Sequence, residues 1–251
     1  MLVIYHCFGG SHSSVTAAAM HLGLLPRDRR PTAAELLALP YFDGRSKGEE
    51  GELKFMGTDL YGNRVYAVGK KNLGDRFEAL LYGLAGAMGI PRQEILLLNI
   101  SRQVNFLMRL GGFASRRLGL TPLGRPIVVW GTRRASSRLA ELVAKNRPLW
   151  ARPQETGGPS VGAGAMIIIY ACFSGTHAAV IAAALHSGWL HPDLLPSWDM
   201  IKRLPCFDAP QGEGGMQYLG RTAAGHALYT AAVGHDGLAA RQAVETFLEA
   251  L

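Results

Sequence analysis

The residues best suited to chemistry gather in one short stretch, His6-Cys7-Phe8-Gly9-Gly10-Ser11-His12-Ser13-Ser14. It follows an apolar run at 2–7 that reads as a strand and precedes an alanine-rich segment that reads as a helix. In open α/β sheets ligands bind beyond the carboxyl ends of the strands, and this junction lies at that edge. Two glycines let successive backbone N–H groups turn inward, and a helix N-terminus adds partial positive charge. Gly9, Gly10, Ser11, Ser13 and Ser14 are therefore the candidate ligands for an oxyanion. The same surroundings favour a thiolate at Cys7, with His12 as its imidazolium partner and nucleophilic chemistry as the consequence. The competing reading is a tight turn in which Ser13 or Ser14 merely caps the helix.

Three further chemistries bear on this stretch. A nucleotide P-loop needs a Gly-Lys-Ser/Thr ending, and the stretch has no lysine. The spacing resembles the loop of low-molecular-weight tyrosine phosphatases and arsenate reductases, in which Cys and Ser/Thr bracket five residues and an arginine. Cys7, Gly9 and Ser14 fit that pattern, but Ser13 stands where the arginine belongs. Arg102, Arg133 and Arg134 are candidate replacements because each follows an expected strand at the same sheet edge. A metal site would need a third ligand beside Cys7 and His12. His21, roughly 12 Å along the helix at 1.5 Å per residue, is too distant and reads as a packed or partly exposed helix histidine, and His6 points to the opposite face of the strand from Cys7. No metal and no cofactor are expected.

The elements that must position this loop recur in the chain. At a constant offset of 165, residues 1–43 align with residues 166–208, and 20 positions are identical. The first copy, 1–147, reads as a complete domain, 148–165 as a Pro- and Gly-rich linker, and 166–251 as a truncated, degenerate repeat. In copy 1 a strand at 2–7 leads to a helix from about Ser14, with Gly23 as its C-terminal cap. Thr32 caps a short helix before Pro40, and strands 53–58 and 64–69 form a hairpin. A helix at 73–89, strand 94–98, helix 102–118, strand 126–130 and helix 136–146 complete it. This alternation predicts an α/β fold with a mostly parallel, doubly wound sheet and a β-hairpin, duplicated, with the second copy shorter. Without its last strands, copy 2 is expected to pack against copy 1 as a pseudo-dimer.

The second loop has Ala171, Ser174, Ala178 and Ala179 in place of His6, Gly9, Ser13 and Ser14, so activity is expected in copy 1. Asp59, replaced by Thr222, is a candidate general acid, but it begins a hairpin turn and reads as a turn residue. Residues 1–165 carry 22 Lys and Arg against 12 Asp and Glu, and residues 166–251 carry 4 against 7. The basic excess of copy 1 suits a small anionic ligand and leaves nucleic acid as a weaker partner, since no aromatic platform accompanies it. Three cysteines without framework spacing, and no secretory signal, suggest a reducing cytoplasm. The apolar stretch 161–190 has polar residues midway and reads as a buried α/β unit rather than a membrane span.

The CFGGSHSS opening, the LPYFD segment and the FMGTD…GN…VYAVG hairpin together resemble an uncharacterised bacterial family, domain of unknown function 3189. That resemblance implies a small cytoplasmic α/β domain and carries no activity with it. The expected function is a phosphate- or oxyanion-binding protein with a reactive Cys7 loop, performing phosphoryl or thiol transfer if it is an enzyme. The alternatives are a non-catalytic scaffold or regulatory protein, and a nucleic-acid-binding protein using the basic first copy.

Overall fold

The computed structural model describes residues 1–44, 49–103, 121–150, 166–209, 215–222 and 226–251. They divide into two compact units, neither of which follows one half of the sequence. Unit 1 takes Met1–Lys71, Gln93–Thr156 and Arg241–Leu251, and unit 2 takes Asn72–Arg92 and Gly157–Ala240.

In unit 1 a four-stranded sheet runs in the order β2-β3-β1-β4. Strand β1 (Leu2–Cys7) is parallel to both neighbours, β3 (Arg64–Gly69) and β4 (Ile95–Asn99). Strand β2 (Lys54–Thr58) is antiparallel to β3 and closes the expected hairpin. A strand flanked on both sides and covered on both faces must be apolar throughout. The LVIYHC run of β1 meets that condition and is buried along its whole length.

Val3, Tyr5 and Cys7 project into the core with Val15, Ala17, Ala18 and Met20 of helix α1 (Ser13–His21). The alanines keep α1 slim enough to lie close to β1 and β3. Helix α2 (Ala33–Leu37) begins at the expected cap, where Thr32 and Glu35 form a reciprocal capping box. Arg29 pairs with the Glu35 carboxylate and holds it down at about 2.

The expected strand at 126–130 and helix at 136–146 are instead one helix, α4 (Thr121–Trp150), which packs on α1 and α2. Val128, Thr132, Ala135, Leu139 and Val143 are its buried stripe, recurring every three or four residues as an amphipathic helix requires. The expected helix 102–118 lies outside the described residues apart from a 3-10 turn at Ser101–Gln103. The expected linker meets α4 as far as Trp150, and its remainder is also outside them.

Unit 2 has a three-stranded sheet in the order β5-β7-β6. Strand β5 (Ile167–Cys172) is parallel to β7 (Ala227–Ala232), and β6 (Met216–Arg221) is antiparallel to β7. Helix α5 (Ala178–His186) packs on β5 and β7, and helix α6 (Trp198–Lys202) follows it. The helix packing on β6 and β7 comes from the other half of the sequence: it is α3 (Arg76–Ala87). A β-carbon on Gly215 would fall 2.7 Å from Cβ of Ala79, so α3 sits flush against the chain there. The last helix, α7 (Gly237–Ala250), has its residues from Arg241 onward in unit 1, where Thr246 Oγ1 accepts the Leu53 amide at 2.9 Å.

Aligned positions of the two segments share unusual backbone conformations. Tyr41 and Asp43 have φ of 62° and 53°, and Cys206 and Asp208 have 63° and 53°. Among the described residues, no helix is long and apolar enough to cross a membrane.

Candidate functional site

The sheet register sets the loop. Cys7 lies beside Gly69, and their strands continue in step, with Lys70 N donating to Cys7 O at 2.8 Å and Lys71 N to Phe8 O at 3.0 Å. Gly10 and Gly69 therefore run against the facing backbone with no room for side chains. A β-carbon on Gly10 (φ +74°) would meet Gly69 N at 2.4 Å, and one on Gly69 would meet Gly9 C at 2.8 Å. Both glycines are structural necessities here.

The turn brings the Gly10 N–H to Cys7 Sγ at 3.2 Å, and the thiol donates to Ser14 Oγ at 3.4 Å. Cys7 is buried, as are Ser11, Ser13 and Ser14. The N-cap of α1 is His12, rather than Ser13 or Ser14, and no side chain caps it. His12 Nε2 faces Asp43 Oδ1 at 3.3 Å, and Asp43 Oδ2 accepts from Arg125 Nε at 2.6 Å. Burial pushes the Asp43 carboxyl up, but His12 and Arg125 outweigh it and hold the group below its ordinary value. A shallow pocket opens beside the loop, lined by Gly9, Gly10, Gly69, Glu49, Glu50, Lys54 and Lys71. Lys54 Nζ pairs with Glu49 at 2.9 Å and Lys71 Nζ with Glu50 at 3.2 Å.

Thus the structure gathers Cys7, Gly10 and Ser14 around the sulfur and links His12 to Asp43. Arg102 sits in the turn after β4. Arg133 and Arg134 follow no strand; they lie within α4, where Arg133 Nε donates to Pro31 O at 2.9 Å and Arg134 stacks over Trp130. Sequence reasoning passed over Asp43, Arg125 and Lys54, and Lys71 reads from the sequence as half of a solvated basic pair with Lys70. Asp43 had a signal, because the LPYFD segment recurs as LPCFD with its aspartate intact.

A second polar group, also in unit 1, lies at the far end of α1. His21 Nε2 donates to Asp59 Oδ2 at 2.9 Å, which leaves Nδ1 to accept the Tyr5 hydroxyl at 3.0 Å. Asp59 Oδ1 caps its turn through the amides of Tyr61 and Asn63, and Asn63 Nδ2 bridges Asp59 to Trp150 O. The His21 ring stacks on Trp150, with centroids 4.3 Å apart. His21 is thus a packed helix histidine and Asp59 a turn residue, as the sequence suggested, but they are also joined to each other. Burial lowers the His21 pKa more than Asp59 raises it, and burial raises that of Tyr5.

In unit 2 the corresponding turn joins β5 to α5. Gly175 N donates to Cys172 Sγ at 3.1 Å, and His177 Nε2 faces Asp208 Oδ1 at 3.2 Å.

A family model matches the chain over residues 2–148 and again over 167–251, and its description reads Protein of unknown function (DUF3189). No curated protein and no solved structure matches the chain. The chain belongs to the DUF3189 family.

Proposed function

With membership of that family as the premise, we propose that this chain is an oxyanion-binding α/β protein whose first loop is the ligand site. One observation carries this reading: backbone of Gly9 and Gly10 lines a pocket together with the ammonium-bearing Lys54 and Lys71. Glycine backbone and two lysines lining one concavity suit a small phosphate-like group. Gly10, Ser11, Ser13 and Ser14 shape the loop, Lys54 and Lys71 supply the charge, and Glu49 and Glu50 hold those lysines until an anion competes for them. Arg102, Arg133 and Arg134 are left without a role in this reading.

Cys7 is the proposed nucleophile, and its sulfur already accepts the Gly10 N–H. His12 is the proposed proton acceptor, oriented by Asp43 at Nε2. Phosphoryl or thiol transfer is the reaction class this pairing serves. The test is alkylation of Cys7 in a Cys172→Ala, Cys206→Ala chain, with and without inorganic phosphate, beside the Lys54→Met, Lys71→Ala variant. Phosphate is expected to slow alkylation in the parent and to lose that effect in the lysine variant. A rate indifferent to phosphate in the parent rejects the anion site.

A second reading, a non-catalytic interaction protein, is favoured by one observation in unit 2. Leu194, Leu195 and Trp198 are 66%, 99% and 62% exposed, where the aligned residues of unit 1 are Arg29, Arg30 and Ala33. A patch of large apolar side chains of this kind marks an interaction surface. Concentration-dependent sedimentation of the chain and of its Leu195→Glu variant tests it: a single monomeric species in both removes self-association as the purpose of the patch.

A further inference from the structure

The second loop contains a constellation that the first lacks. Ser174 stands where the first loop has Gly9, and its hydroxyl lies 3.0 Å from His177 Nδ1. Since His177 Nε2 donates to Asp208 at 3.2 Å, Nδ1 is the acceptor and the serine proton points at it. Thr176 Oγ1 donates to Ser174 Oγ at 3.2 Å and fixes the hydroxyl. Cys172 Sγ lies 3.9 Å from the same oxygen, so a continuous path runs from thiol to serine to imidazole to carboxylate. Asp208 is held at φ 53°, a left-handed conformation that fixes where its carboxylate emerges.

Two differences from Cys7 bear on reactivity. Cys172 is half-buried where Cys7 is 4% exposed, so reagents reach it more readily. Burial pushes the Cys172 thiol up, but N–H groups of Ala179, Gly175 and His177 and the Ser174 hydroxyl together bring it below its ordinary value.

A separate observation points to the ligand. Arg76, from α3, lies over the Phe173 ring at 5.7 Å, next in sequence to Cys172. Its Nε is buried and has no hydrogen-bond partner among the described residues. A methyl group on Gly234 would stand 3.4 Å from Nη1, and the His235 ring lies 4.5 Å from that of Phe173. A guanidinium with an unpaired Nε, beside an exposed aromatic ring and the Cys172 thiol, suits a carboxylate on a small molecule.

We propose that Cys172 is a thiol–disulfide exchange site for small carboxylate-bearing disulfides, with Ser174, His177 and Asp208 as its proton path and Arg76 as the anchor for the carboxylate. The thiol proton passes to Ser174 Oγ as the serine proton moves to His177 Nδ1. The thiolate attacks one sulfur of the disulfide, the S–S bond breaks, and a new Sγ–S bond forms. The departing thiolate takes up the proton from His177. Cys172 is oxidised to a mixed disulfide and half of the small disulfide is reduced to a thiol, so the electrons balance. This site is separate from the first loop, and its success or failure leaves the reading of Gly9 and Gly10 untouched.

The experiment follows chromophore release from two probes, the anionic dithionitrobenzoate and the neutral dithiodipyridine, on the full chain, with mass spectrometry assigning the modified cysteine. Cys172 is expected to react first with both probes, and faster than in the urea-unfolded chain. Ser174→Gly, which restores the residue found in the first loop, and His177→Ala are each expected to slow both probes at least about threefold near neutral pH, as the thiolate fraction falls. Arg76→Gln is expected to slow only the anionic probe. Cys172 reacting no faster folded than unfolded overturns the proposal, as does a Ser174→Gly chain that retains the full rate. Equal slowing of both probes by Arg76→Gln, or of neither, overturns the carboxylate anchor.

Discussion

Acid should destabilise unit 1 through His21, and the size of the effect can be worked from its surroundings. The imidazole is sandwiched among Trp150, Tyr5 and Asp59 and is 8% exposed. Burial, the largest influence, lowers its pKa from the ordinary 6.5, and Asp59 pulls it only partway back. The unfolded chain therefore takes up a proton at a pH where the folded chain does not. Stability is full above that ordinary value and falls as pH drops from it toward the folded value. The limiting slope is about 1.4 kcal/mol per pH unit for one proton. Protonation would also put an N–H on Nδ1, where the Tyr5 hydroxyl now donates.

Urea unfolding at about pH 7.5 and about pH 5.5 reads this slope, with hydrogen exchange of the β1 amides localising it to unit 1. His21→Gln is the informative variant. It is expected to cost about 2–4 kcal/mol at the higher pH, from a lost ring stack and a buried Tyr5 hydroxyl without its partner. It should also have a distinctly flatter pH dependence than the parent. Equal slopes in the two proteins would refute the reasoning, because the other histidines are common to both.

Gly10→Ala should destabilise the first loop by at least about 2 kcal/mol, since its methyl group meets Gly69 N at 2.4 Å and its φ is +74°; thermal unfolding measures it, and a neutral effect would contradict the close approach. Leu139→Ala, at a fully buried site in α4, should cost about 2–5 kcal/mol, whereas a polar-tolerant surface position would lose little in the same denaturant titration. Thr32→Ala removes a capping-box hydroxyl and should cost about 1 kcal/mol by urea unfolding. Below pH 3.8, protonation of Asp59, whose carboxyl is pushed up by burial but held below that ordinary value by Asn63 and His21, should add a second acid loss in unit 1. An Asp59→Asn chain is expected to lack that second step in an acid titration followed by circular dichroism.

Much of the fold was legible because its signals are local. The alternation at 53–69, the unbroken apolar run at 2–7 and the Thr32–Glu35 pair each specify an element within a few residues, and β2, β3, β1 and α2 formed there. Helix α4 was misread because Pro126-Ile127-Val128-Val129-Trp130 is a short β-branched run, which resembles a buried strand when taken alone. Its helical stripe emerges only when Leu139 and Val143 are included, and Arg133, Arg134, Ser136 and Ser137 obscure it. The site was half legible for a related reason. The Cys7–Ser14 contact spans seven residues, whereas His12–Asp43 spans 31 and His21–Asp59 spans 38. Pairs so distant are set by how α1 lies across the sheet. No single stretch of sequence encodes them.

The traded helices have a consequence for how this chain can be divided. Unit 2 uses α3 from the first half of the sequence, and unit 1 uses the end of α7 from the second. A gene split between residues 150 and 166 would yield two fragments, the second without the α3 that packs on β6 and β7 and the first without the end of α7. Each fragment alone lacks a part of the unit that it mostly builds. Loss of either half therefore removes a part of both units.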